Sequence, residues 1–156
     1  IKFYTYYSDI RNPLPFENDT FDTVWSAGLL EHFTDDEIIK FTSEFKRISK
    51  KRVVSFVPNA ASIAYRIGKI IAEQNGTWKA GLEIPRYTLK DLYMKAGLVD
   101  IDEYTIDIQS ALDFLPPDPF KNVLSEILSN LPTEDDCHQG YLLVTIGYKP
   151  TPSQTA

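Results

Sequence analysis

Residues 14–33, with the sequence LPFENDTFDTVWSAGLLEHF, decide the fold of this chain. They begin with a turn around Pro15, continue into a short buried strand at 21–26 and open abruptly into a helix. Glu31 and His32 stand just past that strand. Because chains that bind a nucleotide-like cofactor place their contacts at such strand ends, the stretch predicts one wall of a cofactor site.

The composition is that of an ordinary globular domain. The chain has 156 residues, of which 43% are hydrophobic, and this is enough for one complete core. The net charge of -6 argues against a nucleic-acid-binding surface, since phosphate binding needs clustered Lys and Arg. The basic run at 46–52 stands where a helix is expected to end, and cations there complement the helix dipole. We therefore expect no nucleic-acid partner.

Cysteine content and hydropathy bear on location. The single cysteine, Cys137, excludes an internal disulfide and favours a reducing, cytoplasmic compartment. No apolar run approaches the ~20 residues that span a bilayer, so no membrane partner is expected. The sequence begins IKFYTYY, without an initiator Met or a signal-like segment, which predicts a piece of a longer protein.

The first third of the chain alternates strand and helix patterns. Strands are predicted at 2–7 and at 21–26. Thr34 and Glu37 form a capping-box pattern at the start of a helix. The helix carries one buried stripe, made by Ile38, Phe41, Phe45 and Ile48. Residues 53–57 form an almost continuous apolar run, which predicts a strand buried on both faces.

A second helix and a third follow. An apolar stripe predicts the second helix, and its members are Ile63, Ala64, Ile67, Ile70 and Ile71. Thr88 and Asp91 form another capping-box pattern, and Gly97 is well placed to end that short helix.

The last third adds two strands around a helix. Residues 99–108 alternate apolar and polar side chains, with a slip of phase near Asp102 that a bulge or an edge position explains. Asp118 and Pro119 suit the N-cap and first position of a helix. That helix has a stripe of Val123, Leu124, Ile127, Leu128 and Leu131. Residues 141–148 are predicted as the final strand.

These elements predict an α/β fold in layers. We expect one domain over residues 1–149, followed by a flexible tail at 150–156. Mostly helical sequence joins the last two strands without a clear crossover pattern. The final strand could therefore run either way, and we expect it to be antiparallel.

Three short motifs resemble class I S-adenosylmethionine-dependent methyltransferases. They are LPF at 14–16, FDTV at 21–24 and LEH at 30–32. In that family an acidic residue after the third strand precedes such motifs, and Asp9 takes its place here. The resemblance extends to about Tyr148. It implies a Rossmann-like methyltransferase sheet with flanking helices, and S-adenosylmethionine as the cofactor.

The resemblance also implies cofactor contacts. Asp9 would accept a hydrogen bond from the adenine amino group, with Ile10 packing near the ring; alternatively, Asp9 is only a turn residue. Ala27, Gly28 and Leu29 would border the methionine part of the cofactor. Small residues at a strand end let the backbone approach a ligand closely, although Gly28 alternatively serves only a tight turn.

Glu31 and His32 are the catalytic candidates. A histidine near the transferred methyl group would act as general base on a hydroxyl acceptor. Alternatively, both residues orient the loop through hydrogen bonds. Some family members hold a divalent cation with a Glu-x-x-Glu-His segment. Gly28 stands at the first glutamate position here, so we expect no metal site.

Aromatic residues after the third predicted strand are candidates for binding the methyl acceptor. They are Tyr65, Trp78 and Tyr87, in a region that often covers the acceptor in the family. The alternative is that they pack in the core or on the surface. The polar cluster at 136–138 lacks a second pair at metal-ligand spacing, which predicts a loop.

The family's glycine-rich turn is missing from this sequence. The chain has seven glycines, and no two of them form G-x-G. The resemblance therefore implies that the amino-terminal strands are missing and that the chain alone is incomplete and inactive. Residues 2–7 would then lie at a sheet edge or pair beside residues 21–26. An exposed edge of this kind invites self-association.

Two functions follow from these patterns. The first is methyl transfer to a small-molecule acceptor, which the acidic charge balance favours, with this chain supplying part of the cofactor and acceptor site. The second is a non-catalytic methyltransferase-like module that holds a partner protein. A different α/β enzyme that binds nucleotides is disfavoured, because no phosphate-cradling glycine loop is present.

Overall fold

The structure is a computed structural model that describes residues 2–117, 119–130 and 138–151. Its elements are β1 (Phe21–Ala27), α1 (Asp35–Ile48), β2 (Ser49–Pro58), α2 (Ile63–Gln74), α3 (Lys90–Lys95), β3 (Val99–Ile106), α4 (Ile108–Asp113), α5 (Phe120–Ser129) and β4 (Leu142–Tyr148), with one turn of 3-10 helix at Leu30–His32. No helix in these three ranges is long and apolar enough to cross a membrane.

The four strands form one sheet in the order β1-β2-β4-β3. β1 and β2 are parallel, and β4 runs antiparallel to both of its neighbours, β2 and β3. These pairings confirm the α/β class and the antiparallel final strand. Within the described ranges β1 pairs with β2 alone, so β1 and β3 are the two edges of the sheet.

The strand predicted at residues 2–7 is wrong, because 2–7 have no strand pairing and are exposed. The β propensity of such residues reflects packing against a neighbouring strand, and these residues make only an aromatic contact. The ring of Tyr6 meets Phe16 edge-on at 5.1 Å between centroids. The expectation that this segment lies at the sheet edge or pairs beside β1 is therefore wrong as well.

α1 begins and packs as predicted. Thr34 and Glu37 form a capping box, and the stripe from Ile38 to Ile48 is buried. The basic end of the helix also holds the LPF turn, since the guanidinium of Arg47 donates to the carbonyls of Phe16 (2.8 Å) and Leu14 (3.2 Å). This contact explains why the turn packs beside the helix end.

Burial of β2 on both faces is wrong. Val53 and Val57 are fully buried, whereas Val54 and Phe56 on the other face are only half-buried. In β1, Trp25 pairs with Val54 and is 66% exposed. The buried face belongs to the core that α1 and α3 cover, while the helices α2, α4 and α5 form a separate cluster around Tyr65. An open apolar strip is left along β1 and β2.

The buried face of α2 also differs from the predicted stripe. Ile63 and Ile70 are 51% and 44% exposed. Ala64 is buried as predicted, Ile67 and Ile71 are half-buried, and the other buried residues are Tyr65, Gly68 and Lys69. A Cβ at Gly68 would lie 2.2 Å from the carbonyl oxygen of Phe114. This close approach, available only to glycine, turns the helix so that two of the isoleucines face solvent.

The capping box at Thr88 is wrong, because α3 begins two residues later, at Lys90. The Thr88 hydroxyl accepts a hydrogen bond from the Lys90 amide (3.2 Å), and the Leu89 amide donates to the carboxylate of Glu103 (2.9 Å). A carboxylate on β3 therefore serves the start of this helix. Gly97 ends the helix at φ +81°, as predicted.

Both explanations of the slip near Asp102 are confirmed. The register shifts between Val99 and Asp102, Asp100 has φ +49°, and β3 lies at the sheet edge. The strand ends at Ile106, because Asp107 turns at φ +67° and its carboxylate caps α4.

The α5 prediction holds with changes. The helix begins at Phe120, one residue after Pro119, and Asp118 lies outside the described residues. Leu128 is buried, but Val123 and Ile127 are 55% and 52% exposed. Four further predictions fall outside the described ranges, namely those on Leu131, Asp136, Cys137 and residues 152–156.

Candidate functional site

The site begins where β1 leaves the sheet. Gly28 has φ +61°, a conformation that favours glycine, and its amide donates to the carbonyl of Phe56 on β2 (3.0 Å). Ala27 and Gly28 are exposed, and Leu29 is half-buried against the core. Gly28 therefore forms a tight turn, and the backbone of Gly28 is also open to a ligand.

Glu31 is buried immediately after this turn. Its side chain is 4% exposed, and its Oε2 atom has no hydrogen-bond partner within the described residues. Burial raises the pKa of the Glu31 carboxyl, and the nearby carboxylate of Glu83 adds to that rise, while His32 and Arg86 oppose it. A buried carboxylate with an unpartnered oxygen is costly, and its presence points to a function.

His32 is held in one tautomer. Its Nδ1 atom lies 2.8 Å from the carbonyl oxygen of Leu82. Because a carbonyl only accepts, Nδ1 carries the proton, and Nε2 of the neutral ring keeps a lone pair. Nε2 lies 3.8 Å from Oε1 of Glu31. The ring can therefore accept a proton at Nε2, and the Glu31 carboxylate would stabilise the resulting imidazolium.

Residues 81–86, which we call the strap, lie against this turn. The Ile84 amide donates to the carbonyl of Glu31 (2.7 Å). At the end of the strap, the guanidinium of Arg86 donates to Asp35 (2.5 Å) and to the carbonyl of Phe33. Together with the bond between His32 and the strap, these contacts hold the candidate catalytic residues in place.

A buried ion pair anchors the strap to α2. Oε2 of Glu83 accepts hydrogen bonds from the Tyr65 hydroxyl (2.5 Å) and from Nζ of Lys69 (2.6 Å). Lys69 also lies 4.4 Å from the centre of the Trp78 ring. Burial, together with the bond to Glu83, raises the pKa of the Tyr65 hydroxyl far above its ordinary range.

The structure brings some of the predicted residues together. Glu31 and Tyr65 line one small cavity with Glu83, and the rings of Tyr65 and Trp78 are 6.5 Å apart. Tyr87 does not line this cavity; it is 64% exposed and lines a groove beside Asn59. Tyr65 and Trp78 therefore pack against each other next to the candidate site, as the alternative to acceptor binding expects.

Asp9 and Ile10 lie in different surroundings. Both carboxylate oxygens of Asp9 are engaged by Arg11, whose hydrogen bonds lower the pKa of that carboxyl. Ile10 lines a groove on α1 with Pro13 and Phe41. In this structure Asp9 acts as a turn residue, which was the alternative to its role in binding adenine.

Sequence reasoning missed the buried charges of the site. Lys69, Glu83 and Arg86 are all buried or nearly so. Lys69 and Glu83 stand fourteen positions apart in the chain, so no local spacing connects them. One signal was available: Lys69 directly follows Gly68, and a glycine in a helix can mark a face that packs closely against another segment, so the neighbouring lysine could have been expected to be buried.

Metal ligation has no support in the part of the chain that the structure describes. No group of three or more His, Cys, Asp or Glu residues there could hold a metal ion.

Comparison with known proteins identifies the fold. Residues 5–57 match the family model described as the methyltransferase domain. An S-adenosylmethionine-dependent methyltransferase from Thermotoga maritima is similar over 92% of this chain and 62% of its own, with 19% identity and a TM-score of 0.60. One from Archaeoglobus fulgidus is similar over 86% of this chain and 62% of its own, with 17% identity and a TM-score of 0.53.

A third structure is a complex between the Trm112 methyltransferase activator of Haloferax volcanii and a methyltransferase. It is similar over 92% of this chain and 60% of its own, with 20% identity and a TM-score of 0.53. No curated protein matches the chain. The chain thus spans about three fifths of the length of the solved structures it resembles. The amino-terminal third of the chain thus matches the methyltransferase domain family, and the fold of the chain is similar to that of S-adenosylmethionine-dependent methyltransferases.

Proposed function

We propose that this chain is part of an S-adenosylmethionine-dependent methyltransferase that acts on a small-molecule acceptor. The observation that carries the proposal is the position of Glu31 and His32, directly after the exposed Ala27-Gly28 turn at the carboxyl end of β1. This is the end of a parallel strand at which α/β folds bind their ligands. The relatives described as S-adenosylmethionine-dependent support the choice of cofactor.

The residues at this turn fit the cofactor. Ala27 and Gly28 present small side chains and an open backbone, so a ligand can approach closely. When bound, S-adenosylmethionine supplies a methyl group made electrophilic by its sulfonium. In this proposal Ala27, Gly28 and Leu29 border its methionine part. Asp9 and Ile10 stay candidates for the adenine end, which requires Asp9 to release Arg11.

The chain's own residues then handle the acceptor and its proton. His32 accepts the acceptor's proton at Nε2, while its Nδ1–H remains bonded to Leu82. The carboxylate of Glu31 stabilises the charged ring across 3.8 Å. Tyr65 lines the same cavity as Glu31, and the ring of Trp78 packs against Tyr65, so an aromatic cluster adjoins the site.

Calorimetric titration with S-adenosylmethionine tests the proposal. We expect the 156-residue chain to bind the cofactor poorly, and a longer protein that joins this chain to a glycine-rich turn, which we call the parent, to bind it well. Gly28→Ala in the parent should weaken binding at least tenfold. Gly76→Ala is the matched control, because Gly76 has nearly the same φ (+67° against +61°) with nothing near its Cβ position. Equal binding by both variants, or none by the parent, would contradict the proposal.

A second candidate function is a methyltransferase-like module that binds a partner protein or a second copy of itself. One specific observation favours it: within the described residues β1 has no partner on its outer side, and its Trp25 is 66% exposed. Sedimentation velocity would show association that Trp25→Glu abolishes and Tyr87→Glu, at another exposed aromatic, leaves intact. A clean monomer at all concentrations, with no partner recruited, would eliminate this function.

A further inference from the structure

Two buried polar atoms of opposite kind lie unpaired beside the candidate site. Within the described residues, three buried side-chain atoms have no hydrogen-bond partner: Oε2 of Glu31, Oγ1 of Thr42 and Nε of Arg86. Thr42 is a neutral hydroxyl in α1, whereas an ionised Glu31 only accepts hydrogen bonds and the Nε–H of Arg86 only donates them. Leaving either charged group unsatisfied is costly, so an acceptor and a donor beside one turn indicate that they serve each other.

The backbone brings these two side chains to the same turn. The Ile84 amide donates to the carbonyl of Glu31 (2.7 Å), which fixes the strap just before Arg86. The guanidinium of Arg86 donates through Nη2 to the carbonyl of Phe33, just after Glu31. Its Nη1 atom donates to Asp35 at the start of α1 (2.5 Å). Both terminal nitrogens of the guanidinium are therefore anchored, while Nε–H has no partner within the described residues.

Burial strengthens the interaction between the two charges. The side chains of Glu31 and Arg86 are only 4% and 8% exposed, so water screens their charges weakly. Asp35, the ion-pair partner of Arg86, is 66% exposed, and water weakens that pair. Burial raises the pKa of the Glu31 carboxyl, and the charge of Arg86 opposes this rise. The cavity that Glu31 and Pro85 line holds about 10 Å³, room for one water molecule to bridge a donor and an acceptor.

The other charged groups around Glu31 give it no buried cation. Glu83 on the strap opposes its ionisation, and His32 on its own turn attracts it only when the ring is protonated. Lys69 on α2 is bonded to Glu83 (2.6 Å). Arg66, also on α2, lines the same cavity but is half-exposed, where water screens its charge.

Two tyrosines complete the surroundings of Glu31. Tyr65 on α2 and Tyr141, directly before β4, are neutral at neutral pH because burial raises the pKa of both hydroxyls. The Tyr65 hydroxyl donates to Glu83 and is therefore not free to serve Glu31. Among the charged and titratable groups around Glu31, Arg86 thus combines a buried charge with an unused donor.

We propose that Arg86 is the positioning residue of the Glu31–His32 pair: its Nε–H serves Oε2 of Glu31 and keeps that carboxylate charged, with Oε1 toward His32. Oε1 lies 3.8 Å from Nε2 of His32, where a charged carboxylate stabilises the imidazolium. The inference rests on the proposed function for this role in the reaction. The coupling of Arg86 to Glu31 does not itself depend on the cofactor.

NMR titration of the 156-residue chain tests this inference without S-adenosylmethionine. The side-chain ¹³C carboxyl resonance reports the pKa of Glu31, and ¹H–¹⁵N correlation spectra report the Nε–H of Arg86. We expect the Nε–H resonance to shift with the same midpoint as the Glu31 carboxyl. Glu31→Gln should abolish that step, and any shift that remains comes from Asp35, the other carboxylate on the guanidinium.

Charge variants measure the coupling. Arg86→Gln removes the cation and should raise the pKa of Glu31 by at least one unit, a tenfold change in its ionisation constant. Arg86→Lys keeps the charge without the Nε–H and should recover part of that change. Arg66→Gln, which removes a half-exposed cation from the same cavity, is the matched control and should change the constant less than threefold.

Each alternative result has a defined meaning. An Nε–H resonance that ignores the titration of Glu31, a change below threefold in Arg86→Gln, or an equal change in Arg66→Gln would overturn the inference. Circular dichroism establishes that each variant is folded; if Arg86→Gln is not, the Nε–H titration of the unaltered chain and of Glu31→Gln decides. If the parent binds S-adenosylmethionine but Arg86 and Glu31 are uncoupled, this inference fails alone. Coupling without cofactor binding by the parent rejects the methyltransferase proposal and leaves the Arg86–Glu31 interaction in place.

Discussion

Nζ of Lys69 lies 2.6 Å from Oε2 of Glu83, and both side chains are at least nine-tenths buried. This ion pair joins the middle of α2 to the strap, which in turn bonds to Glu31 and His32. The charges of the pair lie fourteen residues apart in the sequence and meet only because the chain folds back over α2. The stability of the strap and the geometry of the candidate site are therefore coupled.

Removing one partner of this pair should be strongly destabilising. Lys69→Met would leave the Glu83 carboxylate buried without its cation, and we expect a loss of about 3–5 kcal/mol in the free energy of unfolding. The double variant Lys69→Met/Glu83→Gln should lose clearly less, because no uncompensated charge remains. Urea unfolding of both variants measures the difference. Equal losses in the single and double variants would show that the pair is not coupled in this way.

The raised pKa of Glu31 should make stability depend on pH. The folded state holds the proton of this carboxyl more tightly than the unfolded state, whose value lies near 4.5. The stabilisation is therefore fully present below that value and is lost as pH rises through the folded pKa. Relative to Glu31→Gln, the unaltered chain should lose stability as the pH rises above about 4.5. If the unfolding temperatures of the two proteins change with pH in the same way, the raised pKa of Glu31 would be refuted.

The tautomer of His32 is a direct test of the strap. In the neutral ring we expect the proton on Nδ1, because the carbonyl of Leu82 accepts it. Long-range ¹H–¹⁵N correlation spectra distinguish the two nitrogens. A proton found on Nε2 would mean that the strap does not bond to His32, and that the lone pair needed for proton transfer faces the wrong way.

Gly68 should tolerate no side chain. A Cβ there would lie 2.2 Å from the carbonyl oxygen of Phe114, so Gly68→Ala forces α2 away from the backbone that follows α4. We expect a loss of at least about 1–3 kcal/mol, although alanine has the higher helix propensity. Gln74→Ala, at an exposed position of the same helix, is the control and should change stability little. A stabilised Gly68→Ala variant would contradict the close packing.

Several elements could be predicted because their signals are local. The capping box of Thr34 and Glu37, the buried stripe of α1 and the helix stop at Gly97 each depend on residues within one or two turns. The slip of phase in β3 likewise marked a real bulge. In each case the interactions that decide the structure connect neighbours in the sequence.

The errors share one physical cause: in each case a contact with a distant part of the chain, or the lack of one, overrides the local sequence pattern. The segment 2–7 has strand-forming residues but no strand beside it, and β structure needs a partner. The stripe of α2 was misplaced because a glycine, invisible to a hydrophobicity pattern, sets the closest helix contact. The capping box predicted at Thr88 is wrong because α3 begins only at Lys90: the Thr88 hydroxyl accepts from the Lys90 amide, while Glu103, distant in sequence, accepts from the Leu89 amide.

The sequence by itself determined the α/β class and pointed to the candidate site. The motifs of residues 14–33 place a turn and an acid–histidine pair at the end of β1, and local chemistry is sufficient for that. Only the tertiary structure decided that Glu31 is buried with an unpartnered oxygen, that His32 is held by Leu82, and that Lys69 meets Glu83. Burial and ion pairing depend on distances between residues far apart in the chain, and those distances exist only in the folded molecule.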